Sequence, residues 1–183
     1  MLSSCAQLCN SPIVTAPPEH NQAVVFDIDG TLTPHTYNPW WAREDAAKVA
    51  HIFANKGYKI FYLSARIDSL TADIPSWLKD NGFPDGSIYV PQTNEDHSCK
   101  ADCFKTRILN ELKSHGWNIM FAYGNSSTDF KAYAAAEIPI DHVFGLLNIE
   151  DTLCEKGDWI KCLKGWTEHV EYVENKVPTL LKR

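Results

Sequence analysis

A hydrophobic run that ends in two carboxylates one residue apart constrains this chain more than any other stretch. In Val24-Val25-Phe26-Asp27-Ile28-Asp29-Gly30-Thr31-Leu32-Thr33, three apolar residues read as the end of a buried strand, and Asp27 and Asp29 arrive where that run stops. Side chains alternate along a strand, so the two carboxylates converge only once the backbone turns, which Gly30 permits. In parallel α/β proteins, ligands sit beyond the carboxyl ends of the strands, so this is where chemistry is expected. The competing reading is a surface turn that closes a strand.

The rest of the chain alternates strand and helix around that stretch. Residues 38–55 read as a helix, with Trp40, Trp41, Ala47, Ala50, Ile52 and Phe53 apolar and Arg43, Glu44, Asp45 and Lys48 on a wet side. A strand follows over 58–63, then a helical stretch over 68–81 interrupted or kinked before Pro75, and a short strand over 87–90. Residues 91–100 read as a polar loop, 101–115 as a helix, 117–123 as a strand, 127–136 as a helix and 142–145 as a short outer strand. Residues 146–163 have no clean period. Trp166, Val170, Val173 and Val177 recur at helical intervals and predict a terminal helix docked on the domain. Strand-helix repetition of this kind predicts an α/β domain with a central parallel sheet and right-handed crossovers. Residues 1–22, with Pro17-Pro18 and no periodicity, read as a flexible segment ahead of a single domain over 23–183.

The totals narrow the class of partner. A length of 183 residues suits one substantial core, and 44% hydrophobic with 22% charged residues describes a soluble globular chain. A net charge of -6 gives no reason to expect nucleic acid or an anionic membrane as a non-specific partner. No apolar run reaches the roughly 18 to 20 residues that cross a bilayer. Six cysteines, at 5, 9, 99, 103, 154 and 162, lack zinc-site spacing and leave free thiols and one or two disulfides both open. Leu2-Ser3-Ser4-Cys5 is similar to the cleavage and lipidation box of bacterial lipoproteins, without the basic and apolar regions that should precede it. The compartment stays open between cytoplasmic and exported.

Three further segments fall at strand ends or a helix start. They are Ser64-Ala65-Arg66, Lys105, and Gly124-Asn125-Ser126-Ser127-Thr128-Asp129. In order they resemble the second, third and fourth motifs of the haloacid-dehalogenase-like (HAD) superfamily, whose first motif Asp27-Ile28-Asp29-Gly30-Thr31 resembles. The likeness runs from about residue 23 to 145. Tyr62-Leu63-Ser64-Ala65-Arg66 and Tyr123-Gly124-Asn125 through Tyr133 are similar to the catalytic domain of lipin-type phosphatidate phosphatases (LNS2-like) and to the related domain of phosphatidylinositol-transfer proteins.

This resemblance implies a HAD-like Rossmannoid three-layer domain and a magnesium-dependent phosphomonoester hydrolase working through an aspartyl-phosphate. It implies Asp27 as nucleophile and metal ligand, and Asp29 as metal ligand through its carbonyl and general acid, then base, through its side chain. Ser64 and Lys105 would contact the phosphoryl group, with Lys105 also pairing Asp27. Lys100 is the alternative if the loop ends earlier. Thr31 would support the turn that aims Asp29, and Arg66 would brace the site or contact the substrate phosphate. Asn125 and Asp129 would complete the Mg2+ set, with Asn125 standing where many members carry aspartate. The intervals between the motifs are consumed by ordinary elements, so no full cap domain fits. An uncapped cleft admits a phosphate on a bulky carrier such as phosphatidate, by peripheral membrane contact, or on a protein. Tyr37, Trp40 and Trp41 could wall its entrance. A soluble protein, nucleotide or metabolite phosphatase and a phospholipid-binding domain without turnover are the alternatives.

Overall fold

A computed structural model describes residues 10–34, 41–66 and 73–180. Six parallel strands form one sheet, in the order β3-β2-β1-β4-β5-β6. They are β1 (Gln22–Asp27), β2 (Lys59–Leu63), β3 (Ser87–Tyr89), β4 (Asn118–Gly124), β5 (Val143–Leu146) and β6 (Lys161–Leu163). The described α-helices are α1 (Ala46–Asn55), α2 (Ile74–Asp80), α3 (Asn94–Ser98), α4 (Ala101–Ser114), α5 (Ser127–Ala135) and α6 (Val170–Asn175), with short 3-10 turns over Ile140–His142 and Thr167–His169. The chain moves outward from β1 to β3, then returns to the other side of β1 with β4. That reversal opens a crevice at the carboxyl ends of β1 and β4, where Asp27 and Gly124 are the last strand residues.

Strand alternation builds the two cores of this three-layer α/β fold. Val24, Phe26, Ile60, Tyr62 and Tyr123 pack with Phe53 of α1, Leu78 of α2 and Val173 of α6 on one face. Val25, Phe61, Leu63 and Ala122 pack with Leu109 of α4 and Phe130 of α5 on the other. The pairing of β1 with β4 shifts register between Ala23 and Val24, whose partners are Ile119 and Phe121. The shift leaves Met120 unpaired and puts Ile119 and Ala122 on one face despite their odd spacing.

Three expectations from the sequence are corrected. Helix α1 begins at Ala46 rather than residue 38: Asp45 takes a left-handed backbone (φ 60), which ends any helix entering from upstream. Residues 91–100 contain α3, whose capping box joins Thr93 and Asp96. Strand β5 is not the outer strand, because β6 pairs beyond it. The aperiodic stretch before β6 is a loop closed by a Cys154–Cys162 disulfide, and Cys99 and Cys103 form a second disulfide. Cys5, Cys9, Tyr37, Trp40 and residues 68–72 of the helix expected over 68–81 lie outside the described residues. The described part of the N-terminal segment bonds to the domain. Asn10 pairs with the Val90 backbone, Ser11 N donates to Ile88 O, and Trp117 Nε1 donates to Val14 O. Among the described residues, no helix is long and apolar enough to cross a membrane.

His169 lies just before α6 in the first core, 1% exposed, with Nε2 2.9 Å from the Tyr123 hydroxyl and its ring stacked on Tyr172. Burial, and secondarily Lys161, pushes its pKa down to about 4. The unfolded chain takes up a proton near pH 6.5 that the folded chain refuses, so stability falls as pH drops from about 6.5 towards 4. At pH 5 the expected loss from this residue is about 2 kcal/mol. Denaturant titrations from pH 7.5 to 4.5 should show a shallower decline for His169→Leu than for wild type; parallel curves would refute this.

Candidate active site

The first motif leaves β1 through a turn with one main-chain acceptor. Thr31, Leu32 and Thr33 all donate their N–H to Ile28 O. Gly30 has φ +82, and a side chain there would put its Cβ 2.2 Å from Asn125 Nδ2. Thr33, rather than Thr31, braces this turn: its hydroxyl accepts from Gly30 N at 2.9 Å. Thr31 turns inward instead, its Oγ1 lying 2.7 Å from Asp27 Oδ2 and 3.0 Å from Asn125 Oδ1.

Asp27 is 2% exposed, and Lys105 Nζ donates to its Oδ1 at 2.5 Å. Lys105 is the fifth residue of α4 and also donates to Asp129 Oδ1 at 2.5 Å. A cation near a helix start opposes the helix dipole, and these two carboxylates compensate it. Lys100, by contrast, stands exposed at the α4 N-cap. Burial pulls the Lys105 ammonium down, but Asp129 and Asp27 overcome it and hold its pKa above the ordinary value. Burial, then Asp129, pushes Asp27 up to about 7 against the pull of Lys105.

Asp29 is held by residues that follow the end of β2. Ser64 Oγ donates to its Oδ2 and Arg66 Nε to its Oδ1, both at 2.6 Å. Arg66 N in turn donates to Ser64 Oγ at 3.1 Å. Ser64 thus hydrogen-bonds Asp29 directly.

The fourth motif is set by a capping box. Ser126 and Asp129 cap the start of α5, with Asp129 Oδ2 accepting from Asn125 N and Ser126 N. Gly124 is obligatory, because a Cβ there would lie 2.5 Å from that of Asp129. Both Asp129 oxygens are thus engaged, one by the loop and one by Lys105. Glu155, in the disulfide-closed loop, caps the same helix by accepting from Ser127 N at 2.7 Å.

Asp27 Oδ2 and the Asp29 main-chain oxygen both face the Asn125 amide, with the Thr31 hydroxyl beside Asp27 Oδ2 and the amide. The Asn125 amide atom facing the first motif lies 3.2 Å from Asp27 Oδ2 and 2.9 Å from the Asp29 main-chain oxygen. With Nδ2 in that place the amide would donate to both; with Oδ1 there, it adds a third oxygen at those two distances. Octahedral magnesium holds adjacent oxygens about 3 Å apart, so the donor set fits this ion in number, hardness and spacing. It comprises one carboxylate, one peptide carbonyl and one amide. Among the described residues no three His, Cys, Asp or Glu side chains gather as a metal site.

Sequence reasoning missed two residues here. Arg43 is not on a wet helix face. It is 8% exposed and donates to Gly30 O at 2.5 Å, Thr33 O at 3.2 Å and Leu147 O at 2.9 Å. Burial lowers its pKa to about 10, which leaves it charged at neutral pH. Asn148 accepts from Asn125 Nδ2 at 2.8 Å. Neither has a periodic or motif signal. Trp41, placed among core or entrance aromatics, is 65% exposed.

Residues 24–147 match the family described as PITM 1-3, LNS2 domain. The chain is 32% identical over 131 residues to protein retinal degeneration B of Drosophila melanogaster, covering 69% of this chain and 10% of that one. It is 24% identical over 196 residues to phosphatidate phosphatase LPIN1 of Homo sapiens, covering 89% and 21%. The chain therefore spans about a tenth and about a fifth of these two relatives. Among solved structures, the cobalt-bound deoxy-D-mannose-octulosonate 8-phosphate phosphatase of Haemophilus influenzae superposes with a TM-score of 0.55 at 15% identity, over 87% of this chain and 91% of that one. At that identity the likeness bears on the fold alone.

Proposed function

Because the chain belongs to the LNS2 domain family, we propose that it is a magnesium-dependent phosphomonoester hydrolase, acting on phosphatidate or another phosphate borne by a bulky carrier. The observation that carries this reading is the meeting of Asp27 Oδ2, the Asp29 carbonyl and the Asn125 amide at magnesium-edge spacing, directly beside a buried carboxylate. Those three oxygens would hold the ion. Magnesium, when bound, supplies positive charge against the phosphoryl oxygens.

With Oδ2 turned to the ion, Oδ1 of Asp27 is the attacking oxygen. It forms the bond to phosphorus as the ester P–O bond breaks, and Asp29 gives its proton to the departing alkoxide. Water then attacks phosphorus, its proton passes to Asp29, and the Asp27–phosphorus bond breaks. Lys105 pulls the Asp27 pKa down against burial, favouring the ionised nucleophile, and would neutralise a phosphoryl oxygen beside it. Ser64 and Arg66 fix the Asp29 carboxylate for both transfers.

Phosphatidate is favoured by the name of one relative, a phosphatidate phosphatase, and by the absence of room for a full cap. Trp41, Ile149 and Leu153 are exposed on connections leaving the carboxyl edge of the sheet, which suits peripheral contact with an apolar carrier.

The test is magnesium-dependent phosphate release from an aryl phosphate and from phosphatidate in mixed micelles. Release from phosphatidate above the soluble ester, abolished by a chelator and by Asp27→Ala, is the expected result. Turnover of the aryl ester alone would favour a soluble substrate. No turnover of either, with magnesium bound and the fold intact, would refute the hydrolase reading and leave phospholipid binding without catalysis.

A further inference from the structure

The orientation of the Asn125 amide decides whether the pocket beside Asp27 welcomes a cation or repels it, and the first motif alone does not impose the oxygen: it presents two acceptors, Asp27 Oδ2 and the Asp29 carbonyl, and the Thr31 hydroxyl, which can donate or accept. An amide nitrogen pointing inward would satisfy Asp27 Oδ2 and the Asp29 carbonyl equally well without any metal. The decision falls outside the four motifs, in the loop after β5. Asn125 Nδ2 donates to Asn148 Oδ1 at 2.8 Å, and Asn148 Nδ2 donates to Asp151 Oδ2 at 2.9 Å.

A carboxylate accepts and cannot donate, so Asp151 requires the nitrogen of Asn148. Asn148 then has only its oxygen left for Asn125, and Asn125 must answer with its nitrogen. Its oxygen is thereby turned inward. Reversing Asn125 would set two amide oxygens 2.8 Å apart, and reversing Asn148 as well would set its oxygen against the Asp151 carboxylate. The chain of donors has one direction, imposed from the acidic end.

The loop carrying Asn148 is itself tied to the first motif. Arg43 Nη1 holds Leu147 O, while the same guanidinium holds Gly30 O and Thr33 O. One buried cation therefore spaces the peptide that follows Asp29 against the residue that precedes Asn148.

We propose that Asn148 is a positioning residue for the cation site. Oriented by Asp151 and held in place by Arg43, it turns the oxygen of Asn125 towards the ion. The inference rests on the magnesium reading above and assigns a role to residues outside the four motifs. Partners of metal ligands typically change affinity 10- to 100-fold when removed.

The test is magnesium titration of the substrate-free protein by calorimetry, which does not depend on turnover. Asn148→Leu is expected to weaken magnesium binding by about tenfold or more. Asn148→Asp, paired with Asp151→Asn to restore a donor facing it, keeps an acceptor for Asn125 Nδ2 and is expected to stay within about threefold of wild type by the same reasoning. A loss of loop structure would not separate the two variants in that order. Arg43→Met is expected to weaken binding too, and less than additively with Asn148→Leu. Asn148 is half-buried in a loop, so its variants decide the matter even if Arg43→Met fails to fold. Magnesium binding by Asn148→Leu within twofold of wild type, or equal loss in Asn148→Leu and in the paired variant, overturns the inference and leaves the site reading intact. Wild type that binds no magnesium overturns both.

Discussion

Asp27→Asn is expected to reduce phosphate release by on the order of a thousandfold or more while leaving the protein as stable as wild type at pH 8, or more so. On the proposed mechanism, the amide oxygen is a poor nucleophile, so no aspartyl-phosphate would form. The stability half of the result comes from burial. The Asp27 pKa is pushed up to about 7 from an ordinary 3.8, so the folded state disfavours its charge even with Lys105 beside it. A carboxyl raised in this way destabilises the fold increasingly as pH climbs from about 4 to 7, because folding takes up a proton there. The asparagine variant is neutral throughout and should lack that slope. Lys105 keeps Asp129 as a partner, so no buried cation is stranded. Denaturant unfolding in chelator at pH 5 and pH 8, beside phosphate release, checks both halves. An inactive variant that is also markedly less stable at pH 8 would show that Asp27 supports the fold by its charge, contrary to this account.

The residues of the site that are legible in the sequence owe it to their place in the chain. Asp27, Ser64 and Asn125 stand at or just beyond strand ends, where a hydrophobic run stops and polar residues begin. Lys105 is visible because a cation sits where the helix dipole disfavours it, and the structure supplies the compensating carboxylates. Asp129 follows Ser126 at capping-box spacing, a local signal of the same kind as Thr93 and Asp96 in the stretch read as loop. What the sequence hides is whatever depends on contacts distant along the chain. Arg43 lies among charged residues that resemble a solvated helix face. Its three acceptors sit 10 to 104 residues away, at separations no periodicity records. Asn148 lies in an irregular loop whose course is set by the Cys154–Cys162 closure and by Glu155 reaching α5. The outer position of β6 is hidden for a plainer reason, since three residues carry too little pattern to announce a strand.

Lys105→Met should be the most damaging single change in the molecule, and its damage should depend on pH. Methionine replaces the aliphatic stem but leaves Asp27 and Asp129 facing each other with no cation between them. Both carboxylates are almost fully buried. Removing one partner from a buried ionic group costs about 3–5 kcal/mol, most of it from the charge left uncompensated. Lys105 is also what pulls the Asp27 pKa down against burial and Asp129, so its loss lets that pKa rise further. At pH 5 one of the pair can take up a proton and relieve the repulsion; at pH 8 protonation itself costs free energy. Stability lost relative to wild type should therefore be larger at pH 8 than at pH 5. Catalysis should fail at both, since Asp27 is then protonated or repelled and a phosphoryl oxygen loses its ammonium. The measurement is denaturant unfolding of wild type and variant at the two pH values in chelator. A deficit that is equal at pH 5 and pH 8 would assign Lys105 a packing role and remove the electrostatic basis for treating it as the partner of the nucleophile.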